Sequence, residues 1–207
     1  MTRRVPVVPT IFVAAAVALM VWLGVWQIHR LHWKEALLAR YAANQHLPDI
    51  ALPIGVSDDN LLFRHATAFC LKPVSWSTEG GRDRTGNVGW RQIAHCATGA
   101  EGPGFLVQLG ISKDPEAHPA WPGGKVSGFI SNGPDHRPLI ALAFGKGAPP
   151  PLMLVADTPP PGLAANAGPD LSAIPNNHFA YAVQWFLFAL VAVVIYVLAL
   201  RKRWRTE

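Results

Sequence analysis

The side chains best suited to chemistry in this sequence are histidines and tryptophans set at helical spacing. His178, Tyr181 and Trp185 fall at i, i+3 and i+7, one face of a helix. Trp22, Trp26, His29 and Trp33 fall at i, i+4, i+7 and i+11, again one face, with Leu23, Gln27, Arg30 and Lys34 on the neighbouring one. A neutral imidazole in an apolar, aromatic-lined slot between helices is a common axial ligand for haem iron. The competing reading of His178 is a hydrogen-bonding residue at a helix start, beside the capping residues Asn176 and Asn177. The competing reading of the tryptophans is an aromatic belt with snorkelling cations at a membrane surface.

Other constellations are weaker. Cys70 and Cys96 are too few for a disulfide-stapled fold. If runs 66–71 and 88–97 form a hairpin centred near Asp83, the two cysteines fall opposite one another, and an oxidising compartment would permit a disulfide. With His65 and His95 they could instead hold a soft metal such as copper(I). Two unlinked, half-buried thiols are the default. The acids Asp58, Asp59, Glu79, Asp83, Asp114, Glu116, Asp135 and Asp157 lie in turn-like contexts and read as solvated turn residues. His46, His118 and His136 sit among prolines and turns and read as exposed. No nucleophile elbow, phosphate-binding loop or zinc-protease motif is present, so the chain does not read as an enzyme.

The elements that must position these residues are two apolar stretches at the ends of the chain. From Phe179 to Leu200 there is no charged residue. About 20 apolar residues are needed to cross a hydrocarbon core of about 30 Å, and a helix is the single segment that satisfies its own backbone there. Arg201, Lys202, Arg203 and Arg205 follow it, and no lysine or arginine stands near its start. The basic end is therefore expected to remain cytoplasmic. A second apolar stretch, 5–28, follows the basic head 1–4. It is longer than the apolar region of a signal peptide, and no small-residue cleavage site follows it. Two spans put both termini on one side, although Arg30, Lys34 and Arg40 outnumber Arg3 and Arg4 across the first. Much of the formal net charge of +5 is juxtamembrane, which fits anchoring to anionic lipid rather than nucleic-acid binding.

The expected organisation is thus a head at 1–4, a transmembrane helix at 5–28, an extracytoplasmic domain at 29–178, a second span at 179–200 and a basic tail at 201–207. Residues 35–41 continue the first helix outward. The middle carries short strand-like runs at 66–71, 88–97, 105–109, 125–130, 139–144 and 152–155, bounded by Gly, Pro, Asn or Asp. The segment 148–175 is rich in Pro, Gly and Ala and reads as a semi-rigid return to the membrane. The fold class is an α+β membrane protein, with two transmembrane helices flanking one mainly antiparallel β domain.

Two motifs lie at the outer ends of these spans. Leu23-Gly24-Val25-Trp26-Gln27, then Arg30, then Trp33-Lys34 resembles the first signature of the surfeit locus protein 1 family. Pro175-Asn176-Asn177-His178, then Tyr181-Ala182, then Trp185-Phe186 resembles its second. In the middle, residues 107–112 stand where the family has an Asn-Arg-Gly-Trp-Val-Pro pattern, matching at Gly110 alone. The resemblance implies a non-enzymatic assembly factor for haem–copper oxidases of the cytochrome c type, in a bacterial inner membrane with its central domain periplasmic. It implies transient binding of haem a, passed from haem a synthase to oxidase subunit I. It points to His178 as the haem-linked position and axial ligand, and it matches Tyr181, Trp185, Trp26, Gln27 and Arg30 to other motif positions. Arg30 pairing with a propionate, and tryptophans walling the macrocycle, are the corresponding physical expectations. The alternatives are an assembly scaffold that binds oxidase subunits without haem, and a copper-handling module built on Cys70 and Cys96.

Overall fold

A computed structural model of the chain describes residues 5–135, 137–138, 150–172 and 174–206. It divides into two compact units, Met1–Leu38 with Ile174–Glu207, and Ala39–Ala173. The expected strand at 139–144, His136 and the head at 1–4 lie outside the described residues.

The first unit is a pair of helices, α1 (Val7–Asn44) and α2 (His178–Thr206), the first of which runs on into the second unit. Both are long and apolar enough to cross a membrane. At about 1.5 Å per residue, α1 reaches about 57 Å, well beyond a hydrocarbon core of about 30 Å. Pro9 is tolerated because it stands in the first turn, where its missing N–H would have no partner. Pro175 disfavours helical backbone just before α2, and the Asn177 carbonyl accepts the first helical bond, from Tyr181 N at 3.2 Å. The helices run antiparallel: Thr10 hydrogen-bonds Tyr196, the Gly24 backbone lies against the Phe186 ring, and Gln27 reaches His178. Gly24, Ala182 and Ala189 are buried in this pair, and small residues are what let two helix backbones approach.

The second unit is a seven-stranded sheet in the order β1-β2-β6-β7-β5-β4-β3. The strands are β1 (Ile50–Ala51), β2 (His65–Cys70), β3 (Lys72–Arg82), β4 (Val88–Ala97), β5 (Phe105–Ser112), β6 (Gly124–Asn132) and β7 (Leu152–Ala156). Antiparallel pairings dominate, but β1–β2 and β5–β7 are parallel, so the sheet is mixed. Strand β7, LMLVA, is buried at every position, as expected of a continuous apolar run that is covered on both faces. Ile93, Met153 and Val155 form the core cluster, with Leu106 and Phe129 against it.

The hairpin expected between 66–71 and 88–97 does not form. Strand β2 pairs with β6, and β4 pairs with β3 and β5. The missing partner is β3, KPVSWSTEGGR, which reads as a polar loop because of its proline, glycines and charges. An edge strand accepts all of these, since one side of it makes no ladder bonds. The turn at Asp83 is real and closes β3–β4. Its carboxylate accepts bonds from Thr85 and Asn87, which hold its pKa at about 2.

Cys70 and Cys96 are joined by a disulfide, with Cα atoms 5.2 Å apart. Strands β2 and β4 are separated by β6, β7 and β5 in the sheet order, so the sheet must curl for the two sulfurs to meet. The chain itself crosses the same gap, because β3 begins two residues after β2 ends and Leu71 N donates to Ala97 O at 2.9 Å. With both sulfurs consumed, no thiolate is available to copper(I), and no cluster of three or more His, Cys, Asp or Glu suited to a metal occurs among the described residues. The copper-handling alternative is dropped on that ground.

Several expected turn carboxylates are such. Asp58 accepts from Asn60 N, and Asp114 from Glu116 N. One is not: Glu79 lies in β3 and pairs with Arg91 across β3–β4, whereas Asp157 stands exposed in a bend and pairs with His65. The segment after β7 also packs on the sheet. Asn166 is buried, donating to Gln108 O and Ala156 O and accepting from Gln108 Nε2 at 2.8 Å.

Two predictions follow from these contacts. Replacing both Cys70 and Cys96 by serine should lower the stability of the sheet unit by about 2–4 kcal/mol, read by denaturant unfolding of the full chain. His65 Nε2 lies 2.7 Å from Asp157 and Nδ1 lies 3.0 Å from Asp49. The Asp157 hydrogen bond, aided by Asp49, outweighs burial and raises the imidazole pKa above 6.5. The protonated ring therefore stabilises the fold below that value, and the contribution disappears as pH rises through the raised folded pKa. Thermal unfolding should show a loss of stability as pH rises above about 6.5 that His65→Gln reduces.

Candidate functional site

The site is built where α1 and α2 meet near the start of α2. His178 Nδ1 and Gln27 Oε1 are 2.7 Å apart, and both residues are half-buried. An amide oxygen can only accept, so Nδ1 carries the proton and donates. In the neutral ring that tautomer leaves the lone pair on Nε2, for which no hydrogen-bond partner exists among the described residues. Imidazoles that ligate metals are commonly held this way, with the second nitrogen donating to a neighbouring acceptor that fixes tautomer and ring orientation. His178 thus heads α2 without capping it. Asn177 supplies the first-turn carbonyl, and the buried Asn176 Oδ1, two residues before the histidine, has no hydrogen-bond partner among the described residues.

The five residues singled out by sequence are not all brought together. His178 meets α1 through Gln27. Trp185, half-buried two turns further along, stacks edge-on against Phe188 with ring centroids 6.2 Å apart. Tyr181 is half exposed. Trp26 is 48% exposed, and Trp22, His29 and Trp33 on its face are exposed as well. The face of α1 that meets α2 is the neighbouring one, with Gly24 buried and Gln27 half-buried. Arg30 lies one turn beyond Gln27, its guanidinium 4.0 Å from the centre of the Trp33 ring in a cation–π contact. Its contact is therefore within α1, and it is exposed to solvent or a ligand on its other side.

Gln27 is the partner of His178 to which the sequence alone assigns no role. Its signal was available: it is the polar residue of an otherwise apolar and aromatic run, one turn from the buried Gly24. A lone amide in such a run must find a partner, because leaving it unbonded costs about 1–3 kcal/mol. What one-dimensional spacing could not supply was the residue 151 positions away that satisfies it.

Gln27→Leu should leave both helices in place while the imidazole loses its acceptor. Nitrogen-15 shifts of the His178 ring should then move from a single Nδ1–H tautomer toward a mixture. Gln27→Glu should preserve the tautomer, because a carboxylate accepts the same proton.

A model of the SURF1 family matches residues 14–190, from within α1 to the middle of α2. No curated protein matches the chain.

Proposed function

The chain belongs to the SURF1 family, a family of assembly factors for cytochrome c oxidase, and from that premise we propose that it carries haem a through His178 and aids its insertion into oxidase subunit I. The observation that carries this reading is the 2.7 Å hydrogen bond that orients His178 from Gln27 and leaves Nε2 for iron. The donor chemistry fits the cargo. An oriented imidazole with a free ring nitrogen is a normal axial ligand, and an apolar macrocycle can find aromatic surface on the same two helices, at Trp26, Tyr181 and Trp185.

Each residue has a separate task in this reading. Gln27 holds the Nδ1 proton, so His178 stays in the ligating tautomer. Trp26, Tyr181 and Trp185 offer aromatic surface near the same helix ends. Arg30 offers a cation for a propionate, after leaving or while keeping its stack on Trp33. A single protein ligand gives binding weak enough to exchange, which a carrier requires if haem a synthase is to load it and subunit I is to unload it.

The same reading places both helices across a bacterial inner membrane with the sheet unit in the periplasm. Three observations support it. The Cys70–Cys96 disulfide belongs in an oxidising compartment. Arg201, Lys202, Arg203 and Arg205 follow the apolar run of α2, as expected of a cytoplasmic end that also meets anionic lipid. The apolar side chains along α1 and α2, Phe12 and Ile195 among them, are largely exposed, which a lipid environment accounts for.

The second reading is an assembly scaffold that binds oxidase subunits and never touches haem, and one experiment separates the two. The full chain is produced together with haem a synthase, purified, and its visible spectrum recorded. A Soret band that His178→Ala abolishes, and that Gln27→Leu weakens by about 10–100-fold in haem retained, is the expected result. A spectrum unchanged by His178→Ala, or oxidase of full haem content assembled by that variant, would favour the scaffold.

A further inference from the structure

The sheet unit holds a cavity of about 510 Å³ that the haem reading does not use. Small-molecule sites are commonly about 300–1,000 Å³, mostly apolar, with a few polar groups that fix orientation. The cavity lies where the loop after β1, residues 52–57, faces residues of β3, β4, β5 and β7. Leu52, Ile54, Val56, Phe105, Leu106 and Leu152 supply its apolar wall. No lysine, arginine, aspartate or glutamate lines it among the described residues. A charged ligand would lose its hydration there with nothing to neutralise it.

The polar groups are placed together. Ser75 and His95 are direct partners in the β3–β4 ladder, and both line the cavity. Residues directly opposite one another in an antiparallel pair project from the same face. Ser77, two residues on, shares that face, and its hydroxyl lies 3.2 Å from His95 Nε2. His95 Nδ1 has no hydrogen-bond partner among the described residues, and Ser75 adds a hydroxyl beside it.

The walls are held in place without a ligand. Ser57 Oγ donates to Pro150 O at 2.7 Å, and Leu52 N to Thr67 O at 2.9 Å, which fix the loop at both ends. On the other side, Cys96 is clamped by its disulfide, and Gly104 approaches the Cys96 carbonyl so closely that an added Cβ would lie 2.7 Å from it. A cavity held open in this way binds without paying again to order its walls.

We propose that this cavity is a binding site for an uncharged amphiphile, an aliphatic alcohol whose hydroxyl bonds His95 and Ser75 while its chain fills the apolar end. The assignment stands on the sheet unit alone and does not depend on the haem reading.

The test uses the full chain in lipid nanodiscs with a photoreactive, diazirine-bearing analogue of farnesol, followed by peptide mapping of the adducts. Adducts should concentrate in segments 52–57 and 104–106 and disappear with excess farnesol. Palmitate, of similar length but charged, should compete far less well. Ser75→Trp should fill the mouth and abolish these adducts, with thermal unfolding unchanged. His95→Leu should weaken competition by farnesol about five- to tenfold and leave that of farnesene, the hydrocarbon without the hydroxyl, unaltered. Absence of adducts in those segments, labelling unaffected by Ser75→Trp and His95→Leu, or palmitate competing as well as farnesol would each overturn the proposal.

Discussion

A hydrogen bond between one imidazole and one amide joins two segments that lie 151 residues apart in the chain. Between helices in an apolar setting such a bond is worth about 0.6–2 kcal/mol, too little to hold the pair together by itself. Its importance is directional. It settles which nitrogen of His178 keeps a proton, and so which is available to a ligand. The helix pair must first bring the two side chains within reach. Gly24, Ala182 and Ala189 do that by leaving the backbones room to approach, and the Thr10–Tyr196 bond holds the far end of the same pair. A larger residue at Gly24 would meet the Phe186 ring and push Gln27 away from His178.

The sheet unit is governed by a different constraint. A seven-stranded sheet with a two-residue strand at one edge and a long polar strand at the other has to deal with both edges. Here the chain passes from β2 directly into β3, and a disulfide locks the passage, so the two halves of the sheet are drawn around a shared core. Curling of this kind leaves an open end, and the loop after β1 lies over it. The cavity lies there, and its polar pair comes from the edge strand and its neighbour, Ser75 on β3 and His95 on β4.

The parts legible in the sequence are those whose physics is local. The apolar runs at both ends announce α1 and α2 because lipid-length helices need no partner to be recognised. Val88–Ala97 reads as a strand, bounds included, because apolar and β-branched residues there are flanked by Gly86-Asn87 and by Gly99. Strand β3 was not legible, since an edge strand has half the ladder constraints and tolerates Pro73, Gly80 and Gly81. Strand β4 therefore pairs with β3 where the sequence suggests β2, and the disulfide joins two strands that do not form a hairpin. At the site, His178 is legible from its place at a helix start, whereas the tryptophan face of α1 reads equally as a membrane belt or as a wall for a macrocycle, and it is exposed. Helical spacing says which residues share a face but not which face a second helix covers.

By itself the sequence determined that two long apolar helices bracket a β-rich domain, that a histidine stands at the head of the second, and that both motifs of an oxidase assembly family are present. These follow from residue type and spacing along a single segment. Only the tertiary structure decided that Gln27 is the partner of His178, that Cys70 and Cys96 are one disulfide, and that the sheet is mixed and curled around a cavity. Each of those is a meeting of residues remote in the chain, set by how closely backbones can approach and by which edge strand finds which neighbour, and no local pattern encodes such a meeting.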